Sequence, residues 1–292
     1  FRQQLRVAPT FKGDLLYQIS LSQAALGDEE GSRKTQLKLM ADHPSHRLAR
    51  DVADRLRTRT PREQYVRAVV RYNHGDDRRT IDGLRRLLRR DDVPRKLASD
   101  AHYLLGRSYS RSGQRSRSRR TFERLHEQHG RPSALYRLAG LEVSGDADLD
   151  AVQTYRRFAR LYPNHGLADD ALWQAAKAAE RHDEFALAGE VYKQLYRTYP
   201  ASGFSEEARW SVAFTHYCRG EDERALTLFV ETARAARQPH IEDQSYFWAG
   251  KTARRLGMKD EATQHFSHAA AGFPRSYYAS RAVSMGFGSG QL

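Results

Sequence analysis

ARRLGMKDEATQHF, residues 253–266, decides the fold of this chain, because it reads as two helices joined by a tight turn at Gly257. Such a turn needs a residue that tolerates positive φ or caps a helix, which favours Gly or Asp. Equivalent turns recur at intervals of 33 to 38 residues, at Gly75, Gly113, Asp146, Asp183 and Gly220. This recurrence predicts an internal repeat of one helical hairpin per unit.

Residues at fixed offsets from each turn share their size. Ten residues before the turn stand the aromatic residues Tyr65, Tyr103, Tyr136, Trp173, Trp210 and Phe247. Seven before it stand the small residues Ala68, Gly106, Ala139, Ala176, Ala213 and Gly250. Five after it stand the small residues Thr80, Ser118, Ala151, Ala188, Ala225 and Ala262, and nine after it the large residues Leu84, Phe122, Tyr155, Tyr192, Phe229 and Phe266. Small residues on facing helices allow close approach, and the large residue one turn later fills the space beside them.

Three units also close on an aromatic residue followed by proline, at Tyr162-Pro163, Tyr199-Pro200 and Phe273-Pro274. Proline ends the second helix of a hairpin and starts the next unit. Together, the small residue, the Ala-x-x-x-aromatic spacing and the closing proline resemble the tetratricopeptide repeat over about residues 61–276. The fold class predicted is therefore all-α: a tetratricopeptide-like α-solenoid, a superhelix of antiparallel helix pairs.

The repeat divides the chain into three parts. Residues 1–60 are predicted to form an irregular helical N-terminal cap with one degraded repeat around Gly27. The interval from Gly27 to Gly75 is longer than the others, so an additional helix is expected within 45–60. Residues 61–285 are predicted to form six hairpins, and residues 286–292 (GFGSGQL) a flexible tail.

Some units also resemble narrower groups of tetratricopeptide proteins. In the middle units, DDALW at residues 169–173 and the Tyr-Pro pairs are similar to bacterial periplasmic tetratricopeptide proteins. Residues 245–282 resemble the end of the helical domain of soluble lytic murein transglycosylases, through a Phe-Trp pair, a G-x-x-x-E-A turn and P-x-S-Y-Y-x-x-x-A. The resemblance implies a periplasmic location and a peptidoglycan-cleaving enzyme whose catalytic domain follows this region. The family's Glu-Ser and G-L-M-Q motifs are absent here, so no catalytic residue is carried over.

Composition separates the two ends of the chain. Residues 1–130 hold 29 Lys and Arg against 16 Asp and Glu, whereas residues 131–292 hold 20 against 20. The whole positive excess therefore lies in the N-terminal part. It indicates either a solvated basic face or a surface that binds an anionic partner. The single cysteine, Cys218, excludes an internal disulfide, and no apolar stretch is long enough to predict a membrane span.

No motif for chemistry emerges. There is no phosphate-binding loop, no zinc motif and no nucleophile with a paired base, so we expect no catalytic residue, no metal and no cofactor. Nucleic acid is a disfavoured partner, because no aromatic stacking residues are interleaved with the arginines.

Two sets of residues could bind a partner. The first is the aromatic column named above, as a ladder on a concave side; the alternative is that these rings pack between helices. The second is an arginine set: Arg85, Arg86, Arg89, Arg90, Arg115, Arg117, Arg119 and Arg120. Consecutive arginines spread around a helix, so only some of them can reach one ligand.

These observations predict a non-catalytic scaffold. The first hypothesis is the helical domain of a periplasmic peptidoglycan lytic transglycosylase, which binds protein or peptidoglycan. The alternative is a free-standing tetratricopeptide adaptor that binds peptide or protein partners, in the cell envelope or in the cytoplasm.

Overall fold

The structure, a computed structural model, describes residues 11–272 and 276–287. Within these ranges it contains sixteen helices and no strand. The helices are α1 Lys12–Ala25, α2 Glu29–Asp42, α3 Arg47–Arg55, α4 Pro61–Asn73, α5 Asp77–Leu87, α6 Arg95–Arg111, α7 Arg115–His129, α8 Pro132–Val143, α9 Asp148–Leu161, α10 Ala168–Arg181, α11 Phe185–Thr198, α12 Ser205–Cys218, α13 Asp222–Ala235, α14 Pro239–Arg255, α15 Lys259–Ala271 and α16 Tyr277–Ser284.

The helices form two compact units, Phe1–Arg137 and Leu138–Leu292, and the division falls inside α8. In the first unit each helix from α1 to α6 packs on the next one in the chain. In the second unit the same holds from α9 to α15. Each unit is thus an all-α stack of tetratricopeptide-like hairpins, the fold class that the columns predict.

The hairpin turns lie where the repeat places them. Gly27, Gly75, Gly113, Gly220 and Gly257 all have positive φ, between 74° and 80°. Asp146 and Asp183 occupy the same position with φ of 58° and 56°, and they are the only non-glycine residues with positive φ in the described ranges. The prediction that this position needs a residue tolerant of the left-handed region is confirmed.

The small and large columns meet across each hairpin. A Cβ atom added to Gly106 would lie 2.7 Å from the Phe122 ring, and one added to Gly250 would lie 2.9 Å from the Phe266 ring. The Ser118 hydroxyl donates to the Gly106 carbonyl at 2.8 Å. Close approach of the helices therefore places the large residue over the small one.

The N-terminal hairpin uses the same contact. Ser32 on α2 donates its hydroxyl to the Ser20 carbonyl on α1 at 2.7 Å, which is the same twelve-residue link as Ser118 to Gly106. After it, α3 lies within the long interval at residues 45–60. The first ten residues of the predicted cap lie outside the described residues.

The aromatic residues before the closing prolines end their helices. Tyr162 and Tyr199 are the C-cap residues of α9 and α11, one position before Pro163 and Pro200. The third pair, Phe273-Pro274, lies outside the described residues, as do residues 288–292 of the predicted tail. Phe287, within that tail, stacks on Phe266 with ring centroids 4.7 Å apart.

Candidate functional site

A cleft of about 540 Å³ lies in the first unit, against α5, α6 and α7. We call it the arginine cleft, because five arginines line it: Arg85, Arg89, Arg117, Arg120 and Arg124. Leu88, His102, Leu105, Tyr109 and Thr121 complete the lining. Four of the eight arginines singled out in the sequence are thus brought together around one cavity.

Helical spacing explains which arginines converge. Arg85 and Arg89 are four residues apart on and just after α5, so their side chains share one side of it. On α7, the lining residues stand at positions 117, 120, 121 and 124, which is the spacing of one helix face. Arg124 was not among the predicted residues, although its distance of seven from Arg117 is the signal that identifies it.

The cleft is strongly electropositive. Within the described residues, none of the five arginines forms an ion pair, and no carboxylate lines the cavity. Arg117 donates a hydrogen bond to the Gln114 side-chain oxygen at 2.6 Å, which leaves its charge uncompensated. Five guanidinium groups around one concave surface create a field that attracts anions.

Beneath the arginines, the cleft has a less polar lining. Leu105 and Tyr109 are buried, and Leu88 is half-buried. The pKa of His102 is lowered by burial, and further by the nearby His129 and Arg124. His102 is therefore neutral at pH 7, so the positive charge comes from the arginines alone.

The other arginines of the predicted set lie elsewhere. Arg86 and Arg90 line a different cavity of the same unit. Arg115 is exposed and Arg119 half-buried, and neither lines these two cavities. The expectation that only some of the arginines can reach one ligand agrees with this arrangement.

In the first unit the predicted aromatic ladder is engaged in packing. The Tyr103 ring lies 6.0 Å from the Phe122 ring, the large residue of its own hairpin. The guanidinium carbon of Arg131 lies 4.4 Å from the Tyr103 ring centre. Tyr65 and Tyr136 are half-buried.

The members of the predicted aromatic ladder in the second unit pack in the same way. Trp173, Trp210 and Phe247 contact Tyr192, Phe229 and Phe266, with ring centroids 5.4, 6.0 and 5.5 Å apart. Trp210 and Phe247 are only 9% and 6% exposed. These rings have little face left for a ligand, which fits the packing alternative better than the ladder.

Two searches of the described residues complete the site description. They contain no group of three or more His, Cys, Asp or Glu side chains arranged to hold a metal ion. None of their helices is long and apolar enough to cross a membrane.

Comparison with protein families identifies the repeat. The tetratricopeptide repeat model matches residues 100–130, 133–165 and 170–202, which together make up less than half of the chain. These segments cover most of α6 to α11, and the hairpins on either side are recognised only from the aligned columns. Comparison with curated proteins finds no match.

Three solved structures illustrate what this chain is similar to. The C-terminal part of a tetratricopeptide repeat-containing protein from Cytophaga hutchinsonii aligns with a TM-score of 0.64 at 12% identity, over 85% of this chain and 98% of that one. MamA from Desulfovibrio magneticus aligns with a TM-score of 0.44 at 16% identity, over 59% of this chain and 92% of that one. YrrB, described as a tetratricopeptide protein with an unusual peptide-binding site, aligns with a TM-score of 0.44 at 15% identity, over 63% and 91%. At 12% identity, the likeness to the Cytophaga hutchinsonii protein concerns the fold alone.

Proposed function

We propose that this chain, whose hairpins are tetratricopeptide repeats, is a non-catalytic adaptor that binds an acidic segment of a partner protein in the arginine cleft. The observation that carries the proposal is a set of five arginines around one cavity, none of which forms an ion pair with a residue of 11–272 or 276–287. Helical-repeat scaffolds suit protein–protein interaction, because stacked hairpins present long continuous surfaces.

The lining of the cleft favours a peptide over other anions. Arginines at the rim would pair with Asp or Glu side chains, and a guanidinium binds a carboxylate through two parallel hydrogen bonds. Leu88, which is half-buried, offers apolar contact for the residues between these acids. Single-stranded nucleic acid would need exposed rings for stacking, and the one ring of this lining besides His102, that of Tyr109, is 7% exposed.

A labelled peptide of alternating Glu and Leu tests this proposal by fluorescence anisotropy, with a Lys-Leu peptide as control. We expect binding of the acidic peptide that weakens steeply as salt rises, because exposed charges are screened within about 10 Å at 0.1 M salt. The triple variant Arg89→Gln, Arg120→Gln, Arg124→Gln should weaken it by at least about tenfold, since each charged hydrogen bond is worth about 1.5–3 kcal/mol.

The matched control is the triple variant Arg78→Gln, Arg86→Gln, Arg115→Gln, which removes the same charge from the same unit outside the cleft. It should leave the affinity within about twofold if only cleft arginines act. Equal binding of both peptides, or equal loss in both sets of variants, would refute the proposal.

A second candidate function rests on the sequence of the last unit: a scaffold in the cell envelope that belongs to a peptidoglycan lytic transglycosylase. Several residues that carry this resemblance also have packing roles. Ser276 caps α16 by accepting from the Tyr278 backbone, the Tyr278 ring lies 5.3 Å from Phe247, and Ala282 is fully buried. Packing alone can account for such residues, so the adaptor reading is the stronger proposal.

Peptidoglycan binding, which the second candidate requires, is measured by co-sedimentation with purified sacculi. Pelleting of the full chain would support that candidate. A chain that stays in the supernatant at low salt would leave only the adaptor.

A further inference from the structure

The first unit contains a second, smaller cavity, on a neighbouring face of α5 from the arginine cleft. Its volume is about 300 Å³, and five arginines line it: Arg67, Arg71, Arg79, Arg86 and Arg90. Alternation along the chain produces this arrangement, since Arg85 and Arg89 line the cleft while Arg86 and Arg90 line the second cavity. Successive residues of a helix point about 100° apart, so one segment serves both cavities.

The positive charge of the second cavity is only partly compensated. Arg71 and Arg79 share one carboxylate, Asp54, at 3.6 and 3.5 Å. Arg79 also approaches Asp76 at 3.6 Å, and Arg90 pairs with Asp92 at 2.6 Å. None of these carboxylates lines the cavity.

Arg67 and Arg86 have no ion pair within the described residues, and Arg67 has no hydrogen bond there either. The Nε atoms of Arg67 and Arg71 are both buried and without an acceptor in that part of the chain. A buried charged donor without a partner is unfavourable, and native proteins rarely retain one without a compensating ligand or water.

Burial and the adjacent Arg71 guanidinium lower the pKa of Arg67, and the Asp54 and Glu63 carboxylates offset this only in part. An arginine remains protonated at neutral pH even so, because its ordinary pKa lies far above 7. Arg67 therefore keeps its charge, and its buried Nε atom has no hydrogen-bond acceptor within the described residues.

We propose that this second cavity binds a compact phosphate-bearing anion. A tetrahedral phosphate offers several oxygens that forked guanidinium groups bind in pairs, and its charge of about −2 matches Arg67 and Arg86, the two lining arginines that form no ion pair in the described part of the chain. Thr58 and Gln64 in the lining add a hydroxyl and an amide, both neutral donors. A volume of about 300 Å³ suits a small ligand and excludes a length of peptide.

This inference is independent of the acidic peptide, because the two cavities use different arginines. The phosphate group can belong to a soluble molecule or to the headgroup of an anionic lipid, since both present the same oxygens.

Calorimetric titration of the full chain with pyrophosphate at low salt tests the proposal. Arg86→Gln and Arg67→Gln should each weaken binding by about tenfold, because each removes charge-assisted hydrogen bonds. Arg85→Gln is the matched control: it removes the same charge from the neighbouring residue of α5, and it should change the affinity by less than about twofold. With the Glu-Leu peptide the order should reverse: Arg85→Gln should weaken binding more than Arg86→Gln or Arg67→Gln does.

No binding of pyrophosphate, or equal weakening by Arg85→Gln and Arg86→Gln, would overturn the site. Thermal unfolding of each variant without ligand checks its fold. Should Arg67→Gln fail to fold, the test rests on Arg86→Gln, because Arg86 is exposed. Flotation with vesicles containing phosphatidic acid then distinguishes the sources. Flotation that depends on Arg86 indicates a lipid headgroup, and binding of pyrophosphate alone indicates a soluble ligand.

Discussion

At the scale of the residue, the hairpins depend on side chains that are absent or small. Gly106 lies under the ring of Phe122, which is 1% exposed and cannot move away. For Gly83, within α5, no described atom beyond its chain neighbours and the adjacent backbone of α5 lies within 4 Å of the place where its Cβ would be. Of these two helical glycines, only Gly106 is required by packing.

Gly106→Ala should destabilise the protein by about 1–3 kcal/mol, because the added methyl forces the Phe122 ring out of a packed position. Gly83→Ala should instead stabilise it by about 0.5–1 kcal/mol, since alanine loses less conformational freedom in a helix. Chemical denaturation of both variants measures the difference. Equal effects would show that the ring does not hold this position.

A second residue-scale feature is the ion pair of Arg33 and Glu63, whose side chains are only 9% and 13% exposed. Glu63 also accepts hydrogen bonds from the Arg59 and Thr60 backbone, and so joins α2 to the start of α4. Although burial acts to raise the pKa of Glu63, these bonds and Arg33 outweigh it, and the pKa is lowered below 4.5.

Because the folded-state pKa of Glu63 is depressed, its contribution is fully present above the unfolded value of about 4.5 and is lost as pH falls through the folded value. We expect the free energy of unfolding to decrease below about pH 4.5 by less in Glu63→Gln than in the wild type. Chemical denaturation at pH 7 and pH 3.5 measures the change in the free energy of unfolding for the wild type and the variant. A variant with the unchanged pH dependence would contradict this assignment.

At the scale of the element, an arginine clamp joins neighbouring hairpins in alternate units. Arg111, at the end of α6, binds Asp77 at the start of α5 and the Tyr72 carbonyl at 2.7 Å, with its guanidinium carbon 3.8 Å from the Tyr72 ring centre. Arg255 repeats this with Asp222 and with Tyr217, whose ring centre lies 3.7 Å away.

A third pair, Arg181 and Asp148, lies at 2.6 Å. The arginine stands two residues before a turn and the aspartate two residues after the preceding one. The pattern links residues of two successive hairpins, so it is not found by aligning positions within each hairpin.

A double-mutant cycle on Arg255→Gln and Asp222→Asn should give a coupling energy of about 0.5–1 kcal/mol, the scale of partly exposed pairs. The modest size follows from the 38% exposure of the arginine side chain. Arg234→Gln, at an exposed arginine without an ion pair in the described residues, serves as the neutral control. A coupling energy near zero would show that the clamp does not contribute to stability.

At the scale of the whole molecule, contacts are local within each unit. Helices that pack extensively on each other are adjacent or next but one in the chain. Stability should then be distributed as a series of neighbouring interfaces, each sensitive mainly to its own residues.

Gly250→Ala, which places a methyl against Phe266, should therefore raise amide exchange in α14 to α16 and leave α9 to α11 protected. Hydrogen exchange read by mass spectrometry resolves these segments. A uniform rise from α9 to α16 would show that the second unit unfolds as one cooperative body.

The sequence by itself determined the repeat, the turns and the residues that meet inside a hairpin. It could do so because these contacts are between residues at fixed short separations, so that side-chain size and φ preference recur visibly in columns. Gly257 and the Gly250–Phe266 contact follow from this logic directly.

Only the tertiary structure decided how the arginines are used. Arg85 and Arg86 are neighbours with the same charge, yet they line different cavities. Likewise, His102 joins the cleft from a different helix than Arg117 and Arg120, and Arg71 and Arg79 share the Asp54 carboxylate whereas Arg67 forms no ion pair within the described residues. Charge acts through space and not through spacing along the chain, so its partners appear only once the helices are packed together.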